Sequence, residues 1–330
     1  LKARLTSRTI TNITTLLVHL NTILIIVVGV YLIKNIELTM GGLIATVILA
    51  SRAITPMGQF VALITNYEDA KASYDLLNEI ITHPVERPFG KEFVHRRHID
   101  GKIEFKNVSF KYPNSNVYAL RNISFTINKG EKVAIIGRNG SGKSTIAKLI
   151  LKLYEPTEGT ILIDGIDISQ LDPADIRKQI GYVPQEVLLF KGSVKENILG
   201  SSKFVDDEHM LEASKISNLE EFIKIHPDGY EVQIAERGVG LSGGQRQSIA
   251  IARAVLEYKN IYLFDEPTNS MDQTTENIVE QNLKEYLKDA TLLMVTQKKS
   301  MLDLVDRVIV VHQGAKVFDG SKEESLQNSR

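Results

Sequence analysis

Cysteine and tryptophan are both missing from the 330 residues of this chain. Without cysteine there is no disulfide framework and no thiolate metal site, which fits a protein facing the reducing cytoplasm. An excess of charge of one sign is lacking too: 39 basic against 40 acidic residues leave a formal net charge of −1. With both signs interspersed, the basic surface that binds nucleic acid and the acidic tail are both excluded. The opening LKARLTSRTITN starts at Leu1 and has neither the apolar middle nor the small-residue cleavage site of a secretory signal. It reads as the C-terminal part of something longer, and the length allows two or three domains of ordinary size.

Long apolar runs stand near the N-terminus. TTLLVHLNTILIIVVGVYLI, about residues 14–33, carries no formal charge over the ~20 residues a helix needs to cross a bilayer. A second run, about residues 42–64, contains Arg52 and Pro56 and is weaker by hydropathy, with a buried soluble hairpin as the alternative. Lys2, Arg4 and Arg8 precede the first run, whereas the loop between the runs sets Lys34 against Glu37. The positive-inside rule therefore puts both ends of the hairpin in the cytoplasm, with the lipid bilayer as a partner. Arg52 either faces protein or a water-filled path, or snorkels to an interface. His19 and Asn21 read as helix-packing polar groups rather than ligands. After Ile64 the pattern stays helical but turns amphipathic and ends before His83 and Pro84. Residues 1–82 thus form a partial transmembrane domain, and 83–101 form a solvated basic linker whose His95 and His98 also allow a metal.

From Lys102 onward apolar runs alternate with turn signals and amphipathic helices, the pattern of an α/β domain over 102–330 with a largely parallel central sheet. VAIIGRNGSGKST leads a strand into Gly137, Arg138, Asn139, Gly140, Ser141, Gly142, Lys143 and Ser144, with Thr145 opening a helix. This is G-x-x-x-x-G-K-[ST] in its strand-loop-helix context. Its glycines let successive N–H groups point at phosphate oxygens, Lys143 balances β and γ charge, and Ser144 offers its hydroxyl to Mg²⁺. A second apolar strand, IYLFDEP, ends in Asp265 and Glu266. Carboxylates at that edge of a parallel sheet can reach the metal and orient a water, although a surface acidic pair is the bland alternative. A third element, LSGGQRQSIAIARAVL, has Ser242, Gly243, Gly244 and Gln245 at the start of an amphipathic helix, a further anion site through free N–H groups and the helix dipole. One domain has no evident need of two phosphate cradles.

The joint occurrence of these three motifs in this order resembles an ABC transporter, specifically the C-terminal part of an exporter subunit that fuses membrane helices to its own ATPase domain. The resemblance implies an antiparallel β subdomain and an inserted helical subdomain beside the parallel core. It also implies a homodimer in which each ATP lies between the phosphate loop of one copy and LSGGQ of the other. By the same resemblance Tyr112 in FKYP stacks on adenine, and Gln185 in YVPQE senses Mg²⁺ together with Ser144 and Asp265. Glu236 in AERG couples to the membrane domain, and Asp272 in NSMD communicates across the dimer. The membrane part resembles type I secretion ATPases, which export unfolded polypeptide across the bacterial inner membrane with an adaptor and an outer-membrane channel. Bacteriocin exporters share much of this organisation. The position of Gln297 in VTQKKS, where Lys298 and Lys299 follow, is usually a histidine in that family.

Two other readings stay open on the sequence: a non-transport ABC ATPase switch with a buried helical hairpin, and the catalytically weak half of a heterodimer. The substitution at Gln297 motivates the second. Residues that select a cargo would lie mostly outside the chain, so the cargo class, including bacteriocin peptide, lipid or drug, is not fixed by these residues.

Overall fold

The computed structural model describes residues 2–113, 115–200, 202, 205–298 and 300–327, and only the backbone of 2–11, 13, 14, 54, 55, 57–59, 61, 62, 65, 326 and 327. Lys299 and the side chains of Lys2, Arg4 and Arg8 fall outside that set. Two compact units divide between Phe89 and Gly90.

The first unit is a helical hairpin of α1 (Lys2–Lys34) and α2 (Met40–Thr82). Thr39 caps α2 by accepting from Gly42 N at 3.1 Å. The two helices approach closely at Gly29, where an added Cβ would lie 2.3 Å from Leu43 Cδ1, the small-residue contact that apolar helices use. Among the described residues one stretch, Thr15–Lys34, is long and apolar enough to cross a membrane; the apolar part of α2 is shorter, Met40–Ala53. Much of the span expected at about 42–64 falls beyond Ala53, where many side chains lie outside the described set. Pro56 lies inside α2, and with no N–H it leaves the Arg52 carbonyl without its helical donor. The helix runs on to Thr82, where His83 N donates to Glu79 O at 3.2 Å just ahead of Pro84.

In chain order the second unit comprises β1 (Ile103–Lys111), β2 (Tyr118–Ile127), β3 (Lys132–Ile136), α3 (Lys143–Ile150), β4 (Glu158–Ile163), β5 (Ile166–Asp167), α4 (Pro173–Lys178), β6 (Ile180–Val183), β7 (Gly192–Ser193), α5 (Val194–Leu199), α6 (Asp207–Ile216), α7 (Glu220–Ile225), β8 (Gln233–Ile234), α8 (Gly243–Val255), β9 (Ile261–Asp265), α9 (Gln273–Tyr286), β10 (Thr291–Val295), β11 (Arg307–His312), β12 (Ala315–Ser321) and α10 (Lys322–Gln327). Six strands form one sheet in the order β12-β11-β3-β10-β9-β6, parallel except for β12. A separate antiparallel sheet has the order β2-β1-β4-β5.

The apolar runs of the parallel strands sort their side chains by alternation. Val133, Ile135, Leu263, Leu293, Val295 and Ile309 point into a core shared with the antiparallel sheet and α3. Ala134, Phe264, Leu292, Met294 and Val308 point the other way, into a core with α8, α9 and the helical segment around α6 and α7. The parallel sheet, antiparallel layer and inserted helices agree with the architecture that the sequence resemblance implies.

The stretch expected as a solvated linker departs from that reading in its second half. Val94 N donates to Gln170 O at 2.8 Å, His95 Nδ1 lies 2.8 Å from Asp175 Oδ2, and Asn260 Nδ2 donates to the carbonyl of buried Ile99 at 2.6 Å. Backbone groups that a solvated linker would leave to water are here satisfied by the second unit.

Candidate active site

Parallel registry brings three strand ends to one edge. Val295 of β10 pairs with Ile135 of β3 on one side and Asp265 of β9 on the other. The loops that follow these strands, 137–142, 296–298 and 266–271, therefore meet, as open α/β sheets arrange for their ligands.

The first of these loops is shaped by glycine. At Gly142, φ is +102° and a Cβ would lie 2.5 Å from the Ala119 carbonyl; at Gly137 it would lie 2.2 Å from the Val311 carbonyl. Gly142 is also the N-cap of α3 and contributes no side-chain bond, so no side chain competes for the N–H groups of that first turn. Lys143 is buried and donates to the carbonyls of Gly137 at 2.9 Å and Arg138 at 3.1 Å. Ser141 Oγ is buried with no partner among the described residues. Gly142 and Lys143, together with Asn139, Gly140, Ser144, Thr145, Gln185 and Glu266, border a cleft of about 290 Å³. Tyr112 borders it too, with its hydroxyl 3.0 Å from Thr145 Oγ1 and its ring edge-on to Phe110 and Tyr154.

Asp265 and Glu266 differ sharply. Asp265 is buried and its Oδ1 has no partner among the described residues. Burial pushes its carboxyl above the usual carboxylate range, against the lowering pull of a hydrogen bond from Ser144. An orphaned carboxylate oxygen beside a serine hydroxyl is a hard oxygen donor set, and with the Gln185 side chain it fits Mg²⁺. Glu266 stands in the left-handed region at φ +49°, a strained conformation for a residue with a side chain. Its N–H donates to Val295 O at 2.8 Å. Three neutral amides face its carboxylate: Asn269 Nδ2 at 3.1 Å and Gln185 Nε2 at 3.4 Å from Oε2, and Gln297 Nε2 at 3.3 Å from Oε1. Gln297 also donates to Asn139 Oδ1 at 2.9 Å. A second cleft of about 300 Å³ holds Asn139, Gln185, Glu266, Asn269, Gln297 and Lys298 among its walls. It shares Asn139, Gln185 and Glu266 with the first.

The LSGGQ residues lie elsewhere. Ser242 is the N-cap of α8 and forms a capping box with Gln245: Gln245 N donates to Ser242 Oγ at 3.1 Å, and Ser242 N donates to Gln245 Oε1 at 2.8 Å. Two N–H groups expected to be free are thus already satisfied, and those of Gly243 and Gly244 carry the anion-binding potential of this end. Asp272 caps α9 by accepting from Thr274 N and Thr275 N at 3.0 Å each. Bonds from the Thr275 backbone and side chain hold its carboxyl below the usual range. Ser242, Gly244, Gln245 and Asp272 border a third cleft, of about 560 Å³, which shares no wall residue with the two around Glu266. Glu236, exposed in a short 3₁₀ turn, borders none of the three.

Two residues absent from the sequence reading join the site. Asn269 faces Glu266 from three residues downstream, a spacing that a turn after the strand would have suggested. Gln247, buried on α8, donates to Glu266 O at 3.3 Å and accepts from Ser270 N at 2.8 Å. It ties the signature helix to the backbone of the carboxylate loop, a contact that no spacing in the sequence announces.

Residues 120–269 match the ABC transporter family model. The alpha-hemolysin translocation ATP-binding protein HlyB of Escherichia coli O157:H7 is 38% identical over 90% of this chain and 42% of its own length. The leukotoxin translocation ATP-binding protein LktB of Mannheimia glucosida is 37% identical over 91% and 42%. The chain thus spans about two-fifths of the length of these relatives. A solved bacterial Atm1-family ABC exporter with ATP bound is 29% identical, covers 89% of this chain and 52% of its own, and superposes with a TM-score of 0.72. With the phosphate loop, the paired carboxylates and the signature helix all in the second unit, the chain carries an ABC transporter ATPase domain.

Proposed function

We propose that this chain hydrolyses ATP with Mg²⁺ to drive export of a polypeptide across the bacterial inner membrane, as part of a type I secretion transporter. The observation that carries the hydrolytic reading is the Glu266 carboxylate, aimed by Gln185, Asn269 and Gln297 beside the glycine-rich loop. In this reading the N–H groups from Gly137 to Thr145 and the Lys143 ammonium hold the β and γ phosphates. Ser144, Asp265 and Gln185 would hold Mg²⁺, which when bound neutralises phosphate charge. Glu266 takes a proton from a water as that oxygen bonds to the γ phosphorus, and the bridging oxygen leaves with its electron pair on ADP. Gln297 donates a hydrogen bond to the γ phosphate. Tyr112 would have to turn from its edge-on packing to stack on adenine.

Ser242, Gly243, Gly244, Gln245 and Asp272 would act on the nucleotide of a second copy, which supplies the need for two phosphate cradles. Residues 1–82 form the partial membrane domain, 83–101 the connection and 102–330 the cytoplasmic nucleotide-binding domain. An exported polypeptide, a membrane-fusion adaptor and an outer-membrane channel complete the set of partners; the translocation proteins named above support this choice of cargo class. Glu266→Gln keeps the shape of the site but removes the base. In detergent it should bind ATP as the parent does while its phosphate release falls at least about a hundred-fold; near-parental turnover would sink this role. For cargo, loss of the gene should remove a secreted polypeptide from the culture medium, and an unchanged secreted proteome points to another substrate.

A further inference from the structure

Beyond the strand β10 the chain makes a loop that nothing above explains. Thr296 is buried, Gln297 faces Glu266, and a 3₁₀ turn begins at Ser300. Inside that bend sits Glu276, on the first turn of α9 and only 1% exposed. Both of its oxygens are used. Lys298 Nζ pairs with one and Ser300 Oγ donates to the other. The same ammonium donates to the Thr268 carbonyl at 2.8 Å, and Lys298 N donates to Thr296 Oγ1 at 3.1 Å. Lys298 therefore joins three segments: the loop carrying Gln297, the loop following Glu266, and α9, whose N-cap is Asp272.

We propose that Lys298 is a positioning residue for ATP hydrolysis: clamped on Glu276, it fixes the loop on which Gln297 addresses Glu266. The proposal rests on the hydrolytic reading given above. A buried charge must be answered by a fixed partner, so the carboxylate selects one geometry for the loop. Gln297 has a free side-chain rotation of its own, and its amide meets both Glu266 and Asn139 only while the backbone at 296–298 is held. A misplacement of about 1 Å is enough to cost an order of magnitude or more in rate. The bland alternative is an ion pair that only stabilises the fold.

The two roles separate in a set of variants of the whole chain in detergent, read for phosphate release, KM for ATP and melting temperature. Lys298→Met should lower kcat about ten-fold with KM within about two-fold, because among the described residues the hydrogen bonds of Lys298 go to Thr296, Thr268 and Glu276 and to no phosphate-loop residue. Lys298→Arg should retain most of the rate, since a guanidinium can serve both the carboxylate and the carbonyl. The double variant Lys298→Met/Glu276→Gln removes the uncompensated charge. It should regain melting temperature but not kcat, and it decides the case if Lys298→Met alone does not fold. A double variant that regains both, or a folded Lys298→Met with parental kcat, overturns the proposal. A parent without Mg²⁺-dependent phosphate release would defeat the hydrolytic reading instead, and hydrogen exchange at residues 296–298 then tests the clamp by itself. Faster exchange in the double variant supports it, and unchanged exchange overturns it.

Discussion

Among the described residues, the side-chain hydrogen bonds to the Glu266 carboxylate all come from amides. Gln185, Asn269 and Gln297 each bring an NH₂ group to its carboxylate, and none of them can become cationic. In the resembled family a histidine at the Gln297 position offers a charge-assisted bond when protonated. Gln297 can give only a neutral one, a difference on the order of 1 kcal/mol or roughly five-fold in rate. Gln297→Ala should therefore slow steady-state phosphate release by about that factor, while Gln297→His should raise the rate or leave it alone. An inactive parent rescued by Gln297→His would mean a degenerate site, and an unaffected Gln297→Ala would remove Gln297 from catalysis. At this scale the sequence discloses residue types well, because the phosphate loop and the paired carboxylates are local patterns. Partners across chain distance stay hidden: Glu276 and Lys298 are 22 residues apart, and Gln247 reaches Glu266 across 19. Nor does FKYP reveal that the Tyr112 hydroxyl meets Thr145, which only the packing of β1 beside α3 determines.

Elements were legible where periodicity and punctuation agree. The apolar runs IYLFD and TLLMV became β9 and β10, and α2 ends at Thr82 ahead of His83 and Pro84. Tertiary contacts decide the rest. Residues 90–101 have the composition of a linker yet dock, because Gln170, Asp175 and Asn260 supply partners from distant elements. The start of α8 is a mixed case, since LSGGQ gives both an anion site and an S-x-x-Q capping box, and the box consumes two of the N–H groups. Ser242 then has a structural duty besides any nucleotide contact. Ser242→Ala should cost about 1 kcal/mol through the lost cap, a drop of about 2–4 °C in melting temperature for a domain of this size. Ser242→Thr keeps the hydroxyl and should lose less. Equal melting temperatures for Ala and parent would show that the cap contributes nothing to stability.

At the scale of the whole molecule two features call for surroundings that the chain alone does not supply. One is the exposed apolar surface of α1, from Leu16 to Tyr31, with Arg52 on the following helix. A guanidinium at membrane depth is costly against lipid, so in the intact transporter Arg52→Leu should reduce export more than membrane insertion or basal hydrolysis; unchanged export would favour snorkelling to the interface. The other is the separation of the two anion-binding ends, whose clefts have no wall residue in common. If each nucleotide is closed by the phosphate loop of one copy and the signature helix of another, a symmetric pair contains two composite sites. Lys143→Met spoils the first half of a site and Ser242→Arg the second, so each variant alone has no complete site and should be inactive. Mixed in equal amounts, random pairing makes about half the dimers heterodimers, each with one intact site. Phosphate release should then recover to about a quarter of the parental rate at equal total protein, if the sites act independently. A chain that completes its site by itself predicts no recovery at any mixing ratio, and that result would exclude the shared-site dimer.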